Sequence, residues 1–236
     1  MDSICKLCQK PATLQDSHII PEFCYDPIYD NKHRFSIVGN VPSTRRGNLQ
    51  KGLREYLLCH PCEEKIGKWE TYVSRVFHGI DETPGSRSGD IITLEGLRYT
   101  PTKLFLLSLL WRSGVSTIPI FKQTDLGEHE SILRKMLVEE DPGSPQSYGC
   151  LIYSVTLNGN RLQSLYGPQP CYIDDRLVYR MLLRGFLLLY FVSTDALVAE
   201  TTSKFLNSGG SLVVEEKEIH QIPFLNILAA QIAKDQ

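Results

Sequence analysis

The chain has 236 residues and a mass of 26.8 kDa, long enough for one large domain or two small ones with a real core. Apolar residues make up 42% and charged residues 22%, which excludes a disordered or fibrous chain. With 25 Lys and Arg against 27 Asp and Glu, the formal charge of −2 excludes a uniformly basic nucleic-acid coat but leaves room for a local basic patch.

The first residues, Met1 to Lys6, show no apolar signal-peptide run, and no later run reaches the roughly 20 residues of a membrane span. Leu104 to Trp111 stops at Arg112, and Met181 to Val192 is broken by Arg184 and Gly185. A cytoplasmic protein without a membrane partner is expected, and in a reducing compartment clustered cysteines bind metal.

In chain order, Cys5-Lys6-Leu7-Cys8 makes a first cysteine pair, and residues 25–55, rich in Pro, Asn, Gly and charge, read mostly as loop. Tyr56 to Leu58 is a short apolar run entering the second pair, Cys59-His60-Pro61-Cys62. From Glu63 the positions Ile66, Trp69, Val73 and Val76/Phe77 recur at helical spacing and predict an amphipathic helix. Thr83 to Gly89 is turn-rich and reads as a linker, giving one domain over 1–82 and a second over 90–236. Charge divides too: residues 1–75 carry 11 Lys/Arg and 9 Asp/Glu, and the rest carries 14 and 18.

In the second part Ile91 to Leu94 predicts a strand, Thr102 to Gly114 a helix, and Leu126 to Glu139 another helix that Asp141-Pro142-Gly143 ends. Strands are expected at Cys150 to Leu157, closed by the hairpin signal Asn158-Gly159, then at Arg161 to Tyr166, around Phe186 to Val192, and at Ser211 to Val214. Phe224 to Ala233 predicts a C-terminal helix. The fold class is α+β with mainly antiparallel pairing.

Seven cysteines is an odd number, which argues against a closed disulfide framework. Two CxxC pairs each place two thiolates on one tight turn, so Cys5, Cys8, Cys59 and Cys62 are the expected ligands of a structural zinc. Cys24, Cys150 and Cys171 read as ordinary apolar thiols. Fifty residues separate the two pairs, and within them stands His18 in Asp16-Ser17-His18-Ile19-Ile20-Pro21.

A CxxC, then a His-Ile-x-Pro strand end, then Leu-Cys-x-x-Cys opening a helix resembles the HNH endonucleases of the treble-clef, His-Me finger group. The Ser17-His18-Ile19-Ile20-Pro21 wording also resembles bacterial HNH-like proteins. The resemblance implies a treble-clef zinc finger carrying a long insertion. It implies that His18 is the general base, that Asn48 is the central asparagine, and that a divalent Mg²⁺ or Mn²⁺ holds the scissile phosphate. The family has Asp or His before the base and His or Asn after the last cysteine, where this chain has Ser17 and Glu63. Glu63 offers hard oxygen for the catalytic ion, with Glu64, His60 or Glu22 as alternatives. A lone histidine at a strand end is otherwise a structural residue, and acids at a helix start are favoured by the helix dipole alone.

Arg45, Arg46, Lys51 and Arg54, with Lys32 and Arg34, lie in the loop-rich insertion near Tyr25, Tyr29 and Phe35 and form the expected nucleic-acid-binding face. The second part shows no nucleotide-binding loop and no nucleophile elbow, and it reads as a scaffold or partner surface. The expected function is hydrolysis of nucleic-acid phosphodiesters, in phage defence or a mobile element. The expected partners are nucleic acid, DNA ahead of RNA, and a protein such as an ATPase. The alternative is a non-catalytic zinc module that binds nucleic acid or a protein.

Overall fold

The computed structural model describes residues 3–29, 31–32, 52–192 and 197–225. The chain is a mixed α+β structure, and it begins with two short strands, β1 (Ser3–Ile4) and β2 (Pro11–Ala12), paired antiparallel. They enclose the first cysteine turn, where the Cys5 amide donates to the Lys10 carbonyl at 3.0 Å and Gln9 takes a left-handed φ of 58°. A second hairpin pairs β3 (Leu14–His18) with β4 (Arg54–Cys59). Its register shifts between Gln15 and Asp16, so Leu57 bulges, and the Leu57 carbonyl accepts the Lys6 amide at 3.1 Å. That bond ties the first cysteine turn to the hairpin.

Helix α1 (His60–Phe77) follows β4 without a break. Pro61 sits in its first turn, where a missing N–H costs nothing, and Glu63 sits near the positive end of the helix dipole. The helix ends at Gly79, with φ 66°, in a Schellman arrangement: Ile80 N–H reaches Arg75 O at 2.9 Å and Gly79 N–H reaches Val76 O at 3.1 Å. Ile66, Trp69, Tyr72 and Val73 form its buried stripe.

Helix α2 (Tyr99–Val115) is buried over the whole stretch from Thr102 to Ser113. It packs against α1 on one side and against α3 (His129–Glu139) on another. An apolar helix without a polar face is what such a central position requires. Its two long polar side chains, Lys103 and Arg112, are both buried and both spend their donors on protein partners.

The remaining strands are β5 (Gly85–Ser88), β6 (Ile91–Leu94), β7 (Cys150–Leu157), β8 (Asn160–Arg161), β9 (Tyr166–Ile173), β10 (Arg176–Leu183), β11 (Phe186–Phe191) and β12 (Leu212–Glu218). Among the described residues they form one sheet in the order β5-β6-β12-β7-β11-β10-β9, with β8 beside β7. All pairs are antiparallel except β12 with β7.

Alternate residues of β11 explain its continuous apolar run. Leu188 and Tyr190 face the large cluster shared with α1 and α2, whereas Leu187, Leu189 and Phe191 face a second cluster with Phe205, Ile219, Ile222 and Leu225. A strand covered on both faces needs no polar alternation. The short helix α4 (Ala199–Thr202) leads into that second layer.

Several boundaries differ from the sequence expectation. Residues 83–89, expected as a linker, supply edge strand β5, which folds onto β6 through Gly89 with φ 58°. The expected strand at Arg161 to Tyr166 divides into the ends of β8 and β9, and β10 is an additional strand. The predicted C-terminal helix shows a 3-10 turn over Pro223–Leu225, and its remainder lies outside the described residues.

Candidate functional site

The two cysteine turns meet. Each Sγ of Cys5, Cys8, Cys59 and Cys62 lies within 4.8 Å of the others, and Cys8 Sγ is 3.7 Å from Cys59 Sγ. A tetrahedral zinc with Zn–S bonds of about 2.3 Å sets sulfur–sulfur edges near about 3.8 Å, so the cluster fits such an ion. The four cysteines could hold a metal ion such as zinc.

Crowding and burial shift the Cys5, Cys59 and Cys62 thiols in different directions. Burial pushes the Cys5 thiol up, but amide hydrogen bonds from Cys59, Cys8 and Leu7 outweigh it and bring the pKa down to about 7. The Cys59 amide donates to Cys5 Sγ at 3.3 Å. Burial and the neighbouring sulfurs hold Cys62 well above the ordinary thiol value, and burial raises Cys59. Ion binding at four crowded sulfurs therefore releases protons.

Cys24 and Cys150 are buried thiols outside this cluster, each pushed up by burial. Cys171, half-buried on β9, is raised for the same reason.

His18 ends β3, one residue beyond Ser17 and beside the 3-10 turn Glu22–Cys24. Its Nε2 lies 3.0 Å from Glu22 Oε2, and the Tyr29 hydroxyl donates to Glu22 Oε1 at 2.7 Å. Glu22 was one of several carboxylates the sequence offered, and the structure places it on the imidazole. Burial and the hydrogen bond to Glu22 together raise the Tyr29 phenol.

The backbone of His18 is held from behind. Arg112 Nη1 donates to the His18 carbonyl at 2.7 Å, and Arg112 Nη2 lies 2.7 Å from Glu70 Oε1 on α1. Gly52 permits the close approach on the other side, because a Cβ there would stand 2.6 Å from the Tyr25 ring and 3.1 Å from His18 Cδ2. Tyr25 itself is buried and its hydroxyl accepts the Leu53 amide at 2.9 Å.

The other predicted residues sit elsewhere. Glu63 occupies the first turn of α1 beside Cys62, and its Oε1 is buried without a hydrogen-bond partner among the described residues. Ser17 is buried, accepting the Leu58 amide at 3.2 Å and donating to Gln15 O at 3.3 Å. Arg54 stands opposite His18 in the hairpin register and pairs with Asp16, Nε to Oδ2 at 3.0 Å. Asn48, Arg45, Arg46 and Lys51 lie outside the described residues.

Sequence reasoning missed Glu70 and Arg112 as supports of His18. The signal was an arginine interrupting the apolar run of α2, where only an ion pair makes its burial affordable. It also missed Tyr56, which is 71% exposed and shares the outer face of β4 with Arg54. Among the described residues the four cysteines are the one group of three or more metal-ligating side chains. Among the described residues no helix is long and apolar enough to cross a membrane. No family model, curated protein or solved structure matches this chain.

Proposed function

We propose that the chain is an HNH-like, metal-dependent nuclease that hydrolyses nucleic-acid phosphodiester bonds, with DNA ahead of RNA as substrate. The observation that carries this reading is the His18–Glu22 pair, standing on a hairpin whose opposite end runs into the four-cysteine cluster. Knuckle, hairpin and helix in this order are the parts of a treble clef, with zinc as its structural ion.

Glu22 accepts the Nε2 proton of a neutral imidazole, which leaves the Nδ1 lone pair as the acceptor for a water proton. Tyr29 holds the second oxygen of Glu22, so the carboxylate keeps the ring oriented. Arg112 and Glu70 fix the backbone beneath it. Mg²⁺ keeps several waters and needs one or two carboxylates plus substrate phosphate, and Glu22 beside the base would supply one of them, whereas Glu63 stands at the cysteine end of the hairpin. When bound, such an ion supplies stabilisation of the charge that develops on the phosphate. Arg54 and the exposed Tyr56 ring offer a phosphate contact and a stacking surface on the same hairpin.

The test is cleavage of plasmid and single-stranded DNA with Mg²⁺ or Mn²⁺ by wild type, His18→Ala and Glu22→Gln. His18→Ala should lose at least about 100-fold in rate, the usual worth of a general base. Activity that survives His18→Ala in contaminant-free protein would sink the assignment.

A second reading is favoured by one observation. Ser17, at the position where the resembling family places a metal ligand, is buried and its hydroxyl is spent on Leu58 and Gln15. On that reading the finger binds nucleic acid or a protein partner without cutting it. Binding of DNA with no cleavage under any divalent ion would favour it.

A further inference from the structure

A cavity of about 250 Å³ lies between α1, α2 and the large sheet, against the C-terminal end of α1 and away from the four clustered cysteines at its start. Val73 and Val76 of α1, Phe105 and Leu106 of α2, and Ile152 and Leu188 of the sheet form its walls. Two of the polar side chains that line it are committed to backbone: Tyr72 Oη accepts the Arg98 amide at 2.8 Å, and Thr102 Oγ1 donates to the Arg98 carbonyl at 2.8 Å. An apolar space of this size is large for a protein interior, where voids bigger than a water are few. An engineered apolar cavity of about 150 Å³ takes up benzene.

Among the described lining residues a single one carries charge, Arg184. It occupies the first central position of the turn between β10 and β11, with φ 53°, followed by Gly185 at φ 78°. Such turns favour Asn or Gly at that position, and a long side chain there costs about 1 kcal/mol. The guanidinium is held against the cavity by a hydrogen bond from Nη1 to the Phe23 carbonyl and by the Phe77 ring, whose centroid is 5.3 Å away. Asp26 lies 3.7 Å from it without lining the cavity. The open side is marked by Phe77, the one exposed lining residue at 39%, which contacts Phe23 and Phe186 at ring distances of 6.0 and 5.6 Å. An apolar chamber with one cation at its open side is the chemistry of a site for an amphipathic anion.

We propose that this cavity binds a carboxylate with an unbranched apolar tail, the tail in the chamber and the carboxylate on Arg184. Scaling from benzene in about 150 Å³, a chamber of this volume takes about ten carbons. Arg184 retains N–H groups beyond the one given to Phe23, and a guanidinium matches a carboxylate with two parallel hydrogen bonds. Nothing in this proposal depends on nuclease activity.

Equilibrium dialysis of radiolabelled decanoate and decan-1-ol against the zinc-loaded full chain tests it. Decanoate should bind one per chain and at least tenfold more tightly than decanol. Val76→Trp, which projects a large ring into the chamber from a half-exposed helix position, should abolish both. Arg184→Gln should weaken decanoate at least tenfold and leave decanol unchanged. Absence of saturable binding by either ligand, or binding untouched by Val76→Trp, would overturn the site. Decanol binding as tightly as decanoate to the wild type, a comparison that needs no variant, would overturn the role of Arg184.

Discussion

Replacing Arg112 by Met tests how the β3–β4 hairpin, which leads into the cysteine cluster, is joined to the rest of the molecule. The arginine is 1% exposed, pairs with Glu70 at 2.7 Å and donates to the His18 carbonyl at 2.7 Å. Methionine fills much of the stem volume but leaves Glu70 without its partner and the carbonyl without its donor. Breaking a buried ion pair from one side costs about 3–5 kcal/mol, and the 21% exposure of the Glu70 side chain places this case near the lower end. The lost carbonyl bond adds about 1 kcal/mol. The sum is about 4 kcal/mol, which with a urea m-value of about 3 kcal/mol/M lowers the midpoint by about 1.3 M. Urea unfolding followed by fluorescence of Trp69 and Trp111 reads this directly. The variant Arg112→Met/Glu70→Gln removes the stranded charge and should recover about 2 kcal/mol of the loss. A single-variant loss below about 1 kcal/mol, or a double variant no more stable than the single, would refute the reasoning.

Three further outcomes are expected. Cys62→Ser should reduce bound zinc well below one ion per chain by metal analysis; since its cluster shares a core with α2, a loss of about 3 kcal/mol should lower the melting temperature by about 6–12 °C. Lys103, buried and held down to a pKa of about 8 by desolvation, binds fewer protons folded than unfolded between that value and the ordinary lysine pKa of about 10.4. Stability should therefore rise with pH in that window, and the unfolding free energy of wild type minus Lys103→Met should grow by about 2 kcal/mol from about pH 8 to pH 10; a flat difference would count against the assigned cause. Gly52→Ala should shift the Tyr25 and His18 rings, since its Cβ would stand 2.6 Å from Tyr25, and the shift should be visible in histidine NMR signals while zinc content stays constant.

What could be read in advance was local. Helix α1 announced itself through Ile66, Trp69 and Val73, and the cysteine cluster through two spacings, because both signals are complete within a few residues. Strand β7 and its Asn158-Gly159 turn were equally legible. Strand β10 was missed because the turn before it is Asp174-Asp175, both at positive φ, and two aspartates signal that turn weakly. Strand β5 was missed because Gly85 to Ser88 are all exposed at a sheet edge and carry no apolar period. His18 and Glu22 stand four apart and were individually visible, but the bond between them depends on the 3-10 turn that follows Pro21. The supports beneath, Glu70 and Arg112, are 52 and 94 residues from His18 and meet it only through the packing of α1 on α2.

The parallel pairing of β12 with β7 has a consequence for synthesis at the ribosome. β12 lies between β6 and β7, although residues 91–157 emerge well before 212–218. Until β12 arrives, β6 and β7 each present an unpaired edge, and Ile92 and Ile152 lack the neighbour Val214 that joins them. The sheet therefore closes late and from the middle, long after all four clustered cysteines, the last at residue 62, have emerged. Nascent chains paused between those points carry two adhesive strand edges, so slow translation across residues 160–210 should increase aggregation rather than aid folding.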